Sequence, residues 1–300
     1  MTILLLGANG QVGFELRSTL EALGEVVSLA RPDIDFAVPE SLRMLVRSYR
    51  PTVIVNAVAY TAVDQAEMDV ERATAVNSIA PGELATEAAA IGAVLVHFST
   101  DYVFDGSKAS PYVETDETAP LSVYGRSKRD GELAVQQRCD RHLILRTSWV
   151  FGVHGQNFIK TILRLARDRS DLRVVADQFG APTSAALLAQ VTSKVLLQMR
   201  GQSATDPRWG LYHLVAGGET NWYGLACYVI ARARAMGHPL QASPETVEPI
   251  KTVDFPRPAR RPLNSRLATT KLQERFAITL PDWTTGVNAF LDQLIPEMER

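Results

Sequence analysis

Ile3-Leu4-Leu5-Leu6-Gly7-Ala8-Asn9-Gly10-Gln11-Val12-Gly13 is an apolar run that breaks into spaced glycines and then into a helical pattern. Four apolar residues in a row, bounded by a turn, read as a strand buried on both faces. From Gln11 to Leu23 the apolar residues Val12, Leu16, Leu20 and Leu23 share one helical face. Strand, glycine turn and helix in that order form the context in which a dinucleotide phosphate is bound. Gly7 permits the tight turn, Gly10 lets backbone amides approach a pyrophosphate, and Gly13 lets the helix lie close to the sheet. The helix N-terminus adds partial positive charge. The spacing is Gly-x-x-Gly-x-x-Gly, a variant of the usual Gly-x-Gly-x-x-Gly, and taken alone it also fits a glycine-rich connection with no ligand.

Outward from this stretch, short apolar runs alternate with amphipathic ones. Val26–Ala30, Thr52–Asn56, Val94–Ser99 and Leu143–Thr147 read as further strands. Pro39–Arg50, Val70–Ile91 and Ser122–Gln137 read as the helices between them. That alternation predicts an α/β fold, a Rossmann-like doubly wound parallel sheet. After Trp149 the pattern loosens: Phe158–Arg167, Leu187–Met199 and Trp222–Met236 read as helices and Leu211–Val215 as a strand. Pro239–Pro262 is rich in proline and polar residues and reads as an extended loop. The expected organisation is a dinucleotide-binding domain over 1–147, with segments near 184–216 returning to it. A smaller C-terminal α/β substrate-binding domain is expected over 148–300.

Bulk properties set limits. The 31 basic residues nearly cancel the 33 acidic ones, so nothing points to a nucleic acid as partner. The N-terminus lacks the basic region and cleavage site of a signal peptide, and no apolar stretch reaches membrane-spanning length. Cys139 and Cys227 have no metal or redox spacing. The expectation is a cytoplasmic protein with reduced thiols.

Cofactor choice falls to the end of the second strand. An acidic residue there holds the ribose hydroxyls of NAD; here Arg31 stands ready for the 2′-phosphate of NADP, with Asp33 and Asp35 close by. NADPH is favoured over NADH on that ground, a surface arginine being the competing reading. Further on, Tyr124-Gly125-Arg126-Ser127-Lys128 puts a phenol and an ammonium four residues apart on one helix face. A free tyrosine titrates near ~10, and a neighbouring ammonium is expected to lower it. Such a pair suits protonation of a ketone oxygen while hydride arrives at carbon. Ser99-Thr100-Asp101-Tyr102 lies at the C-terminal end of a strand, where ligands of open α/β sheets bind. A Thr100 hydroxyl there reaches a substrate carbonyl and the Tyr124 phenol, or else caps a turn.

With these elements in place, the chain resembles the extended short-chain dehydrogenase/reductase superfamily and, within it, the dTDP-4-dehydrorhamnose reductases. The matching stretches are GANGQVG (7–13), VIVNA (53–57), TAVDQAE (61–67), STDYVF (99–104), RTSWV (146–150), DQFGAPT (177–183), GLYHLVAG (210–217) and RPLNSRL (261–267). The resemblance implies reduction of a dTDP-linked 4-keto sugar by NADPH or NADH, with Thr100, Tyr124 and Lys128 catalytic. It implies cofactor contacts from Gly10, Gln11, Val12, Asp35, Phe36, Ala59, Tyr60, Thr61 and Lys128, and substrate contacts from Thr100, Asp101 and Trp149. Trp149 is either a platform for the substrate or a core residue. Asn77 either orders a water in a proton relay or is structural. Arg257, Arg260 and Arg261 either clamp a diphosphate or form a solvated basic loop.

Some members of the family are dimers linked by a metal on interface glutamates. Glu15 matches one such ligand, but Ala186 and Gln293 stand where two further acids belong. Mg²⁺ prefers carboxylate oxygens, so the expectation is no metal-linked dimer and a monomer, with a homodimer as the alternative. Three other readings remain. A sugar-nucleotide dehydratase carries Asp-Glu after the strand-end threonine, where this chain has Asp101-Tyr102. An epimerase keeps its cofactor bound between turnovers. A non-catalytic regulatory subunit of the same fold needs no intact Thr100, Tyr124 and Lys128.

Overall fold

The computed structural model describes residues 1–298. The first half is built from β1 (Thr2–Leu6), α1 (Gln11–Glu21), β2 (Glu25–Leu29), α2 (Pro39–Tyr49) and β3 (Val53–Asn56). It continues with α3 (Val70–Thr74), a π turn (Ala75–Ile79), α4 (Ala80–Ile91), β4 (Val94–Thr100), α5 (Val123–Arg138) and β5 (His142–Thr147). The second half contributes α6 (Phe158–Asp168), β6 (Leu172–Val175), α7 (Ala185–Met199), β7 (Gly210–His213), α8 (Trp222–Ala235), β8 (Val247–Ile250), α9 (Thr270–Phe276) and α10 (Trp283–Met298).

Six parallel strands form the central sheet in the order β7-β5-β4-β3-β1-β2. The doubly wound α/β fold read from the alternation is the fold observed. Side-chain alternation along β1 explains why the strand is apolar throughout. Ile3 and Leu5 pack on one face with Leu16 and Leu20 of α1 and Leu188, Val191 and Val195 of α7. Leu4 and Leu6 pack on the other with Leu42 and Val46 of α2 and Leu84 of α4. Each such fully buried side chain contributes about 2 kcal/mol. A polar substitution anywhere in β1 would therefore face an apolar core on one side or the other.

Other residues of the second half gather around a second core. Ile159, Ile162 and Leu163 of α6, Leu225, Val229 and Ile230 of α8, and Val287, Phe290 and Leu291 of α10 form it. The extended loop expected over Pro239–Pro262 is a misreading in part. Val247–Ile250 is a strand paired in parallel with Leu172–Val175. Its end residues Val247 and Ile250 are buried while Glu248 and Pro249 face out, so too few apolar residues mark it. Pro249 is tolerated because a two-stranded ribbon leaves every strand an edge.

The helix expected over Val70–Ile91 is also interrupted. Its central turn widens to π geometry at Ala75–Ile79, around the fully buried Asn77. Such bulges inside α-helices recur at functional sites.

Candidate active site

The chain order reverses between β1 and β3, so their carboxyl ends open a crevice at the switch point. Gly7 sits in that crevice with φ +85°, and a Cβ there would lie 2.9 Å from the backbone carbon of Ala57. A Cβ on Gly13 would lie 2.1 Å from the Gly7 carbonyl oxygen, so α1 approaches β1 only because residue 13 is glycine. The Gly10 amide donates to the Gly7 carbonyl at 2.9 Å and closes the turn. No side chain among the described residues caps α1, and its first turn holds no acidic residue. The free amides and the helix dipole thus face the crevice without a competing anion.

A cleft of about 510 Å³ follows from this arrangement. Gly7, Gly10, Gln11 and Val12 of the glycine turn line it, with Arg31, Asp35 and Phe36 after β2 and Ala59, Tyr60 and Thr61 after β3. Tyr124 and Lys128 line it as well. Gly13 packs behind the turn rather than in the lining. The Gln11 side chain accepts a hydrogen bond from Asn157, the residue that caps α6, so the glycine turn is tied to the second core. At the β2 end Ala30 is buried and Arg31 exposed, with Asn9 donating to the Arg31 carbonyl at 3.3 Å.

The wall at Tyr60 is held by Asn77. Its Oδ1 accepts from the Tyr60 amide at 2.8 Å, and its Nδ2 donates to the Tyr60 carbonyl at 3.2 Å and to Ser127 Oγ at 3.1 Å. These contacts fit the structural reading of Asn77.

Thr100 ends β4 and caps the tight turn that follows, its Oγ accepting from the Tyr102 amide. Ser122 caps α5 by accepting from the Gly125 amide, and Glu67 accepts from the Val123 amide. These contacts fix the first turn of α5 against the end of β4 and bring Tyr124 to Thr100. Burial pushes the Tyr124 phenol up to about 12, a hydrogen bond with Thr100 draws it down, and the charge on Asp101 pushes it up again. Asp101 is itself only 2% exposed, and burial raises its carboxyl to about 7.

Lys128 does not lower Tyr124 in the way the four-residue spacing predicts. Its Nζ turns into the sheet, donating to the Phe98 carbonyl at 2.6 Å and lying 3.3 Å from His97 Nε2. Burial lowers this ammonium to about 8, opposed by the charge on Glu132. One helix face brings two side chains alongside each other, but the long lysine stem reaches whichever acceptor is buried with it.

Three expected substrate residues lie outside the lining of this cleft: Thr100, Asp101 and Trp149. Trp149, at φ +50°, stacks on Trp222 with ring centroids 3.6 Å apart, so one face of its indole is already covered. Arg261 is not free for a diphosphate. It holds Asp64 in a bidentate pair at 2.8 and 2.9 Å, and keeps that carboxyl below the usual range. Arg257 lies over the Phe255 ring.

Glu15, Ala186 and Gln293 come together around a second cavity of about 220 Å³. Only the first of these three positions carries a carboxylate, and burial raises it. Among the described residues no cluster of three His, Cys, Asp or Glu has metal-binding geometry. Nor is any helix among them long and apolar enough to cross a membrane.

Four residues passed over in the sequence belong to this region. Asn56 and His97 are polar groups inside otherwise apolar strands, and that break in the pattern is their signal. Glu132 and Arg146 form a bidentate ion pair at 2.8 and 2.6 Å, with both side chains under 5% exposed. Glu132 lies four residues beyond Lys128, on the same helix face.

A family model described as the RmlD substrate binding domain matches residues 1–295. The dTDP-4-dehydrorhamnose reductase of Burkholderia thailandensis is 47% identical over 99% of this chain and 100% of its own. Among solved structures, one described as a dTDP-4-dehydrorhamnose reductase from Clostridium acetobutylicum superposes with TM-score 0.90 at 35% identity. It is matched over 98% of this chain and 100% of its own. Another, described as dTDP-4-dehydrorhamnose reductase from Bacillus anthracis in complex with NADP, superposes with TM-score 0.88 at 31% identity. That match covers 97% of this chain and 99% of the other.

Proposed function

The chain belongs to the dTDP-4-dehydrorhamnose reductase family, and on that premise we propose that it reduces the 4-keto group of dTDP-4-dehydro-L-rhamnose to give dTDP-L-rhamnose, a donor for cell-surface polysaccharide. The observation that carries this reading is that one cleft is lined both by the glycine turn and by Tyr124 and Lys128. A dinucleotide lying along the turn therefore ends at a proton donor.

The residues present fit such a cofactor. An uncapped helix N-terminus and a glycine turn that no Cβ would survive suit a pyrophosphate. Gly7, Gly10, Gln11, Val12 and Gly13 form this cradle; Arg31, Asp35 and Phe36 take the adenosine end; Ala59, Tyr60, Thr61 and Lys128 take the nicotinamide half. Bound NADPH or NADH supplies the hydride that reduces the ketone carbon. Arg31 favours the 2′-phosphate of NADPH. Arg31→Ala should raise the KM for NADPH more than that for NADH, and equal effects on both would remove the basis for the preference.

Tyr124 donates the proton to the developing alkoxide. Its buried environment keeps the phenol protonated across the neutral range, as a general acid requires. The Thr100 hydroxyl donates to the same oxygen and fixes the carbonyl. Asp101 and Trp149 contact the sugar nucleotide. In this reading residues 1–147, with returning segments near 184–216, bind the dinucleotide, and 148–300 mainly bind the substrate. We further propose a monomer without an interface metal, acting in the cytoplasm on a small-molecule substrate. A panel of nucleotide-linked 4-keto sugars, read by NAD(P)H absorbance, tests the assignment: consumption with the dTDP-sugar supports it, and none with any member of the panel refutes it.

A further inference from the structure

Beneath the cleft a chain of buried polar groups runs from β3 to Lys128. The Val58 amide donates to Asn56 Oδ1 at 3.1 Å, which fixes the orientation of that side-chain amide. Asn56 Nδ2 must then donate to His97 Nδ1, 3.1 Å away. A neutral histidine that accepts at Nδ1 carries its proton on Nε2. That N–H faces Lys128 Nζ at 3.3 Å. Burial holds His97 well below its ordinary value, and it is fully enclosed, so the ring is neutral.

Two donors cannot satisfy each other. A charged Lys128 in this position meets the His97 N–H with only N–H groups of its own. An uncharged Lys128 accepts from His97 and donates to the Phe98 carbonyl, and every member of the chain is satisfied. We propose that Asn56 and His97 are positioning residues that present a fixed hydrogen-bond donor to Lys128, selecting its uncharged amine in this inward position and leaving the ammonium to the cleft. The other charged group facing Lys128 is Glu132 on its own helix, which favours the ammonium and is itself committed to Arg146 of β5. The two influences oppose one another, and burial leaves the Lys128 ammonium lowered to about 8. This deepens the reductase reading and rests on it, because it says how the charge of a lysine lining the same cleft as Tyr124 is set.

The test is a lysine titration followed by NMR on ¹³C,¹⁵N-labelled full-length protein without substrate, the Lys128 signal being identified by its loss in Lys128→Met. Wild-type His97 should show the Nε2–H tautomer, and Lys128 should titrate below the other lysines. Asn56→Asp offers only an acceptor to Nδ1, which forces the ring proton onto Nδ1 and turns Nε2 into an acceptor for the ammonium. His97→Gln lets an amide oxygen face Lys128 instead. Both should move the Lys128 midpoint upward by about one pH unit, and the alkaline limb of kcat/KM should move with it. An Nδ1–H tautomer in the wild type, or a midpoint that stays put in both variants, overturns the proposal. The tautomer decides the matter even if neither variant folds. Because the NMR readout needs no turnover, a wild type that fails to consume NADPH refutes the reductase reading and leaves this test intact.

Discussion

At Tyr124, burial and hydrogen bonding pull in opposite directions and burial wins. The Tyr-x-x-x-Lys spacing made the pair visible in the sequence, because four residues is one helical turn. The proton balance was not visible there, since it depends on which acceptor the lysine stem reaches, and that acceptor is the Phe98 carbonyl of β4. Asp101 carries a second consequence of burial. Its carboxyl is raised to about 7 in the folded state, so the native protein binds a proton there that the unfolded chain releases near ~4. Stability therefore falls as pH rises between these values, and the full cost is present above the folded value. Asp101→Asn should raise the Tm relative to wild type at pH above the folded value of about 7, and lose that advantage below the unfolded value. Thermal unfolding at both ends of the range checks this; an equal shift at both ends would contradict it.

At the level of elements, the glycine turn and the strand–helix alternation were legible because each rests on local rules. The π turn was not. It arises where α3 and α4 accommodate Asn77, whose partners Tyr60 and Ser127 lie 17 and 50 residues away. Asn77→Ala would leave the Tyr60 amide and carbonyl without these partners and should cost ~2–3 kcal/mol, measured by denaturant unfolding. It should also raise the KM for the cofactor, because the Tyr60 wall loosens. The strand Val247–Ile250 escaped for a different reason: it buries only its end residues and contains a proline. Gly13→Ala tests the close approach of α1. With a Cβ 2.1 Å from the Gly7 oxygen, the helix must move away from the turn. NADPH affinity should fall at least tenfold, or about 1.4 kcal/mol, by fluorescence titration. Unchanged affinity would mean that the turn does not hold the pyrophosphate.

Across the whole molecule, the sheet's switch point sets everything else. It places the glycine turn, the end of β3 and the end of β4 around one cleft; the tie from Gln11 to Asn157 binds the second core to it, and the Asp64–Arg261 pair binds the loop after β8 to the first half. The sequence pattern conveyed the sheet and the cleft residues. It did not convey which arginines are already spent on ion pairs, because that depends on contacts nearly two hundred residues apart along the chain. Sedimentation with and without a chelator should give the same monomeric species, and a dimer that dissociates on chelation would contradict the expected absence of an interface metal. The central claim is that this cleft reduces a nucleotide-linked 4-keto sugar with Tyr124 as proton donor. It is tested most directly by NADPH oxidation with dTDP-4-dehydro-L-rhamnose, comparing wild type with Tyr124→Phe. Turnover by the wild type and a loss of ~10²–10⁴ in kcat for the variant is the predicted result; a wild type that leaves NADPH untouched, or a variant as fast as wild type, would contradict it.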